Sequence, residues 1–112
     1  MDSTRQKKIG RLIQKEMSEI FQREVREIVM GTMVSVTNAR VSPDMGNVKV
    51  YLSIFPTEHK EEVFKNIAQS NSTIRYMLGQ RVGKQLRVIP ELQFYIDDSL
   101  DYVERLDNLL KE

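Results

Sequence analysis

The chain has 112 residues, a formal net charge of +1, 40% hydrophobic and 29% charged residues, and no cysteine. That length fits one domain, 1–112, with a core that needs no covalent staples, and it leaves no disulfide or thiolate chemistry. No apolar run approaches the ~20 residues of a membrane span and MDSTRQKK has no apolar leader, so the expectation is a cytoplasmic monomer with no membrane partner.

Residues 4–28 read as one long amphipathic helix. Ile9, Leu12, Ile13, Met17, Ile20, Phe21 and Ile28 recur at three- and four-residue steps and so fall on one stripe. Ser3 and Gln6 have the spacing of a capping box. Gly10 weakens the helix locally, and Met30-Gly31 ends it. The polar face starts basic, with Lys7, Lys8 and Arg11, and becomes mixed after Lys15. Its first turns are a candidate RNA contact. The remainder reads as a solvated face over a core stripe.

Thr32–Ser42 and Val48–Phe55 are rich in β-branched and aromatic residues and alternate. Val34 and Val36 fall on one parity, and Val48, Val50, Leu52 and Ile54 on another. Between them, Ser42-Pro43-Asp44-Met45-Gly46-Asn47 is a turn mixture. The pattern predicts an antiparallel hairpin with one buried face. Pro56-Thr57-Glu58 then starts a helix. Thr57 is the expected N-cap, and Glu58, Glu61 and Glu62 suit the positive end of its dipole. Val63, Phe64, Ile67 and Ala68 give it an inner face. The pattern fades at Gln69–Ser72, where Ser-Asn-Ser predicts a break with Ser72 as a candidate N-cap. A second helix follows, with Ile74, Met77, Leu78 and Val82 inward and Gly83 at its end. Pro90 forces Ile89 out of helical geometry. Leu92–Asp97 is a strand with Leu92, Phe94 and Ile96 on one face, and Asp98 or Ser99 starts a last helix carrying Leu100, Val103, Leu106 and Leu110.

The order α-β-β-α-α-β plus a C-terminal helix is that of an α+β, type II KH-like domain. Its two-helix crossover should be right-handed and lay the helices on a three-stranded sheet.

Charge is unevenly placed along this order. Between Val63 and Pro90 there are Lys65, Arg75, Arg81, Lys84 and Arg87 and no acid, whereas Glu91, Asp97, Asp98, Asp101, Glu104, Asp107 and Glu112 collect after it. Ser70-Asn71-Ser72 stands where a helix N-terminus exposes unpaired N–H groups that welcome phosphate. Arg75 lies one turn inside, with Arg81, Lys84 and Arg87 beyond. The residues alone leave two readings open: a phosphate-binding face, or serines that cap a kinked helix beneath solvated bases. An interaction module that docks protein through its first and last helices is the rival from another class.

Other chemistry finds little support. His59 is the sole histidine and sits among acids, so no zinc site is expected. Asp97-Asp98 reads as a helix start. No Walker-type loop and no Ser-His-acid set is present, so neither enzyme activity nor a cofactor or metal is expected. Tyr51, Tyr76 and Tyr95 could stack on bases, but each reads more readily as core or rim.

The run IRYMLGQRVGKQLRVIPELQFYIDDS at 74–99, the helix IGRLIQKEMSEIFQRE, and KVYLSIF preceded by SPD resemble the bacterial ribosome-binding factor A family over nearly the whole chain. The resemblance implies a non-catalytic factor of the type II KH kind. Such a factor binds the maturing small (30S) ribosomal subunit, contacts 16S rRNA and assists late maturation and rRNA processing, including in cold adaptation. The family's usual Ala-x-Gly kink is replaced here by Ser70-Asn71-Ser72. The implied RNA-binding set is Ser70, Asn71, Ser72, Arg75, Arg81, Lys84 and Arg87, with Lys7, Lys8 and Arg11.

Overall fold

The computed structural model describes residues 3–97. The capping box is present: Ser3 Oγ accepts from the Gln6 amide at 3.1 Å, and Gln6 Oε1 accepts from the Ser3 amide at 2.8 Å. It opens α1, Thr4–Arg23. The helix is shorter than its apolar periodicity suggests. Val25 and Val29 are buried in the turns that follow, and the Val29 amide still bonds the Val25 carbonyl at 3.1 Å. The segment therefore keeps the inward i, i+4 spacing of Val25 and Val29 without continuing the helix. Met30 (φ 55°) and Gly31 (φ 74°) close the segment.

The hairpin follows as expected. Strand β1, Met33–Val41, pairs antiparallel with β2, Asn47–Phe55. Alternation in β1 is not continuous, because a bulge falls between Val36 and Asn38. Thr37 is the extra residue, and it resets parity so that Ala39 and Val41 join Val34 and Val36 in the core. The Thr37 hydroxyl donates to Asp97 Oδ2 at 2.6 Å.

Thr57 is not the N-cap of the next helix. Thr57–His59 is a 3₁₀ turn after Pro56, without a side-chain capping bond, and α2 proper runs Lys60–Gln69. The chain breaks at Ser70 and resumes as α3, Asn71–Val82, with Gly83 at its C-cap. Ser72 is thus the second residue of α3 and not its cap. Strand β3, Glu91–Ile96, lies parallel to β2, giving the order β1-β2-β3. The expected last helix lies outside the described residues.

One face of the sheet is covered. Ile13, Met17 and Ile20 of α1, Val63 and Ile67 of α2, and Ile74, Leu78 and Val82 of α3 pack with Val48, Val50 and Leu52 in one core. At Gly10, α1 lies so close to β1 that an added Cβ would stand 2.6 Å from the Ala39 carbonyl oxygen. The opposite sheet face carries no helix among the described residues, and its residues stay exposed or half-buried.

Candidate nucleic-acid interface

The break at Ser70 comes from the backbone. Its φ and ψ are −97° and 16°, and its side chain makes no capping bond. Its amide donates to the Asn66 and Ile67 carbonyls, and its own carbonyl accepts from Ile74 at 2.9 Å, closing the first turn of α3. Asn71 pins that turn to the sheet, Nδ2 donating to the Leu92 carbonyl at 2.9 Å. Ser72 is exposed.

Arg75 faces the segment before β3. Its Nε donates to the Pro90 carbonyl at 3.1 Å and its Nη2 to the Ile89 carbonyl. Asn71, Ser72 and Arg75 line a cleft of about 930 Å³ between α3 and β3, with Tyr76 and Gln80 on its outer wall. Part of the donor capacity of Asn71 and Arg75 is thereby spent inside the fold.

Arg81, part of the expected RNA-binding set, is ion-paired within the fold. Its guanidinium lies 2.6 Å from Glu19, 3.0 Å from Glu16 and 3.4 Å from Glu24. The Glu16 hydrogen bond chiefly, with Glu19 and Glu24 adding to it, holds the Arg81 pKa above its ordinary value against the cost of burial. This side chain joins α3 to α1.

The bases gather elsewhere. A second cleft, of about 600 Å³, lies between the first turns of α1, the hairpin turn and the segment after α3. Lys8 and Arg87 line it together with Arg5. Arg5 and Lys8 stand three residues apart and so share a helix face. That spacing was readable in the sequence, although attention to Lys7, Lys8 and Arg11 passes over Arg5. Among the described residues, none of Arg5, Lys8 and Arg87 has a carboxylate at ion-pair distance. Asp44 also lines the cleft. Its carboxylate accepts from Ser42 Oγ at 2.6 Å and from the Gly46 amide at 3.0 Å. These two bonds, Ser42 first, lower its pKa. Lys7, Arg11 and Lys84 are exposed.

The ten expected residues therefore separate. Lys8 and Arg87 share a cleft with Arg5, while Asn71, Ser72 and Arg75 share the one beside α3. Lys7, Arg11 and Lys84 stand on the surface, Arg81 is held by carboxylates, and Ser70 forms the break. His59 lies 3.8 Å from Glu62 on an exposed turn. Among the described residues no cluster of three or more His, Cys, Asp or Glu could hold a metal ion.

A mixed sheet in the order α-β-β-α-α-β, with Arg5, Lys8 and Arg87 lining one cleft, defines a type II KH-like domain. The chain belongs to the ribosome-binding factor A family, whose family model, described as Ribosome-binding factor A, matches residues 5–110. It is 47% identical over 111 residues to ribosome-binding factor A of Flavobacterium johnsoniae, covering 98% of this chain and 85% of the relative. In fold it is similar to the crystal structure of ribosome-binding factor A from Thermus thermophilus, with a TM-score of 0.67 at 20% identity, covering 81% of this chain and 94% of that one. It is also similar to the Thermus thermophilus homology model fitted into the cryo-EM map of a complex between the 30S subunit and ribosome-binding factor A. There the TM-score is 0.63 at 21% identity, over 78% of this chain and 89% of that one.

Proposed function

We propose that this chain associates with the small (30S) ribosomal subunit, contacts 16S rRNA, and assists late subunit maturation and rRNA processing by binding and not by catalysis. The observation that carries the reading is the cleft where Arg5, Lys8 and Arg87 converge with no carboxylate at ion-pair distance among the described residues, in a member of the ribosome-binding factor A family. Lys7, Arg11 and Lys84 are further exposed bases of the expected RNA-binding set. A structural neighbour fitted into a 30S complex supports the choice of partner. Phosphate contacts of this kind position a protein on RNA without reading sequence.

The experiment is co-sedimentation with small subunits across a salt series. Lys8→Glu with Arg87→Glu should weaken association, and each lost phosphate contact should flatten the log–log salt slope by about one unit. An unchanged salt midpoint would make these bases solvated surface. An apolar interface would show little salt dependence in the parent itself.

A further inference from the structure

The sheet face that no helix covers among the described residues has its own chemistry. Tyr51 and Tyr95 lie directly opposite each other in the parallel β2–β3 pair. Their rings stack with centroids 5.5 Å apart and planes at 27°. Tyr95 is 41% exposed, and its hydroxyl turns along the strand to Gln93 Oε1 at 3.3 Å. The pair is an aromatic stack fixed on two strands, with Tyr95 its more exposed member.

One step along the same face is a row made by Arg40, Lys49 and Gln93, each opposite the next across the sheet. Like charges directly opposite destabilise a sheet. Here Arg40 faces Lys49, both are exposed, and neither has a carboxylate partner among the described residues. An anion seated between them turns that repulsion into attraction. Arg40, Asn47, Lys49, Tyr51 and Gln93 line one shallow cleft of about 350 Å³. The cation row and the tyrosine row are about 7 Å apart along the strands, within the span of a nucleotide from base to phosphate.

We propose that this face is a second nucleic-acid contact, on which single-stranded RNA stacks a base against Tyr95 over Tyr51 and sets a phosphate between Arg40 and Lys49. The proposal rests on the reading that the chain meets RNA, and it names the form of RNA met by the side opposite the helices. Stacking on side-chain rings requires an unpaired base, since a duplex keeps its bases to itself. The chemistry does not suit an aliphatic protein partner. The exposed apolar pair on this face, Met33 opposite Phe55, stands at the far end of the hairpin, beyond the Ser35–Ser53 row.

The test measures affinity of the full chain for a short single-stranded oligouridylate and for an RNA duplex of equal length. Tyr95→Leu should weaken the oligouridylate about tenfold and leave the duplex unchanged. Tyr95→Phe, which keeps the ring, should bind as the parent does. Lys49→Glu should weaken oligouridylate binding and flatten its salt dependence. Three results overturn the proposal: no oligouridylate binding by the parent, equal binding by Tyr95→Leu, or equal loss of both ligands. A dimer in sedimentation velocity that Tyr95→Leu dissolves would give the face to a second copy of this chain and also overturn it. Failure here remains distinct from failure of the cleft reading. That reading falls if Lys8→Glu with Arg87→Glu leaves small-subunit association unchanged, whatever Tyr95→Leu does to the oligouridylate.

Discussion

Arg81 and Glu19, 62 residues apart in sequence, meet at 2.6 Å. Glu16 and Glu24 reach the same guanidinium, so one cation holds three carboxylates from α1 and its C-cap. Arg81→Ala leaves those acids facing one another. Hydrogen bonds to charged groups contribute about 1.5–3 kcal/mol each, and partial solvent screening reduces that. The expected net loss is about 1–2 kcal/mol in denaturant unfolding. Arg81→Glu should cost more, because it adds a fourth negative charge. Charge reversal at this position therefore tests stability before it tests RNA binding. The sign with pH follows from the raised pKa. A raised base stabilises fully below its unfolded pKa and loses that contribution only as pH rises through the folded one. Between about pH 6 and pH 10 the Arg81 contribution should stay constant, because an arginine with a raised pKa keeps its proton throughout that range.

Asn71 and Ser72 stand side by side but should behave differently. The Asn71 amide satisfies the Leu92 carbonyl across the α3–β3 boundary. Asn71→Ala removes that bond and should cost about 1 kcal/mol. Ser72 is exposed and caps nothing, so Ser72→Ala should fall within about 0.5 kcal/mol of the parent. Thermal unfolding of the two variants compares them directly. A larger loss at Ser72 would place the start of α3 two residues later than observed.

Local pattern made most of the fold legible. Alternation announced β2 and β3, the Ser-Asn-Ser interruption announced the break between α2 and α3, and Ser3 with Gln6 announced the start of α1. What stayed hidden was set by contacts between distant segments. Nothing near Thr37 shows that it will bulge, since the bulge answers the register of β2 and is held by Asp97 sixty residues away. The carboxylates around Arg81 lie on α1, so its pairing could not be read from the acid-free stretch that contains it. Arg5 joined Lys8 and Arg87 because the segment after α3 returns to the first turn of α1, and sequence spacing carries only the Arg5–Lys8 half of that relation. The core, by contrast, follows hydrophobic periodicity almost throughout.

Gly10 shows the same limit in one residue. By propensity alone, Gly10→Ala should strengthen α1 by about 1 kcal/mol. In the folded chain the new Cβ would meet the Ala39 carbonyl oxygen at 2.6 Å. That neighbour is backbone of β1, held by its pairing with β2, and cannot swing aside. The substitution should therefore destabilise by about 1–3 kcal/mol as α1 is forced off β1. Denaturant unfolding decides the sign. A stabilised Gly10→Ala protein would mean that α1 sits further from the sheet.

Asp44 of the hairpin turn also lines the basic cleft. Asp44 bonds Ser42 and Gly46, which lowers its pKa. It also places a negative charge beside Arg5, Lys8 and Arg87. A depressed carboxylate stabilises above its unfolded pKa, and that contribution is lost as pH falls through the folded one. The Gly46 amide resonance should therefore shift in acid with a midpoint below the ordinary aspartate value of 3.8, and Asp44→Asn should abolish that transition. The same variant removes the one carboxylate that lines the cleft among the described residues, while keeping a side chain able to accept from Ser42 and Gly46. If the cleft binds phosphate, Asp44→Asn should tighten small-subunit association at fixed salt, severalfold and most at low ionic strength, where charges are least screened. Lys8→Glu should act in the opposite direction. If Asp44→Asn loses the acid transition yet leaves association unchanged at every salt concentration, then Asp44 serves the turn alone and RNA phosphates do not enter this cleft.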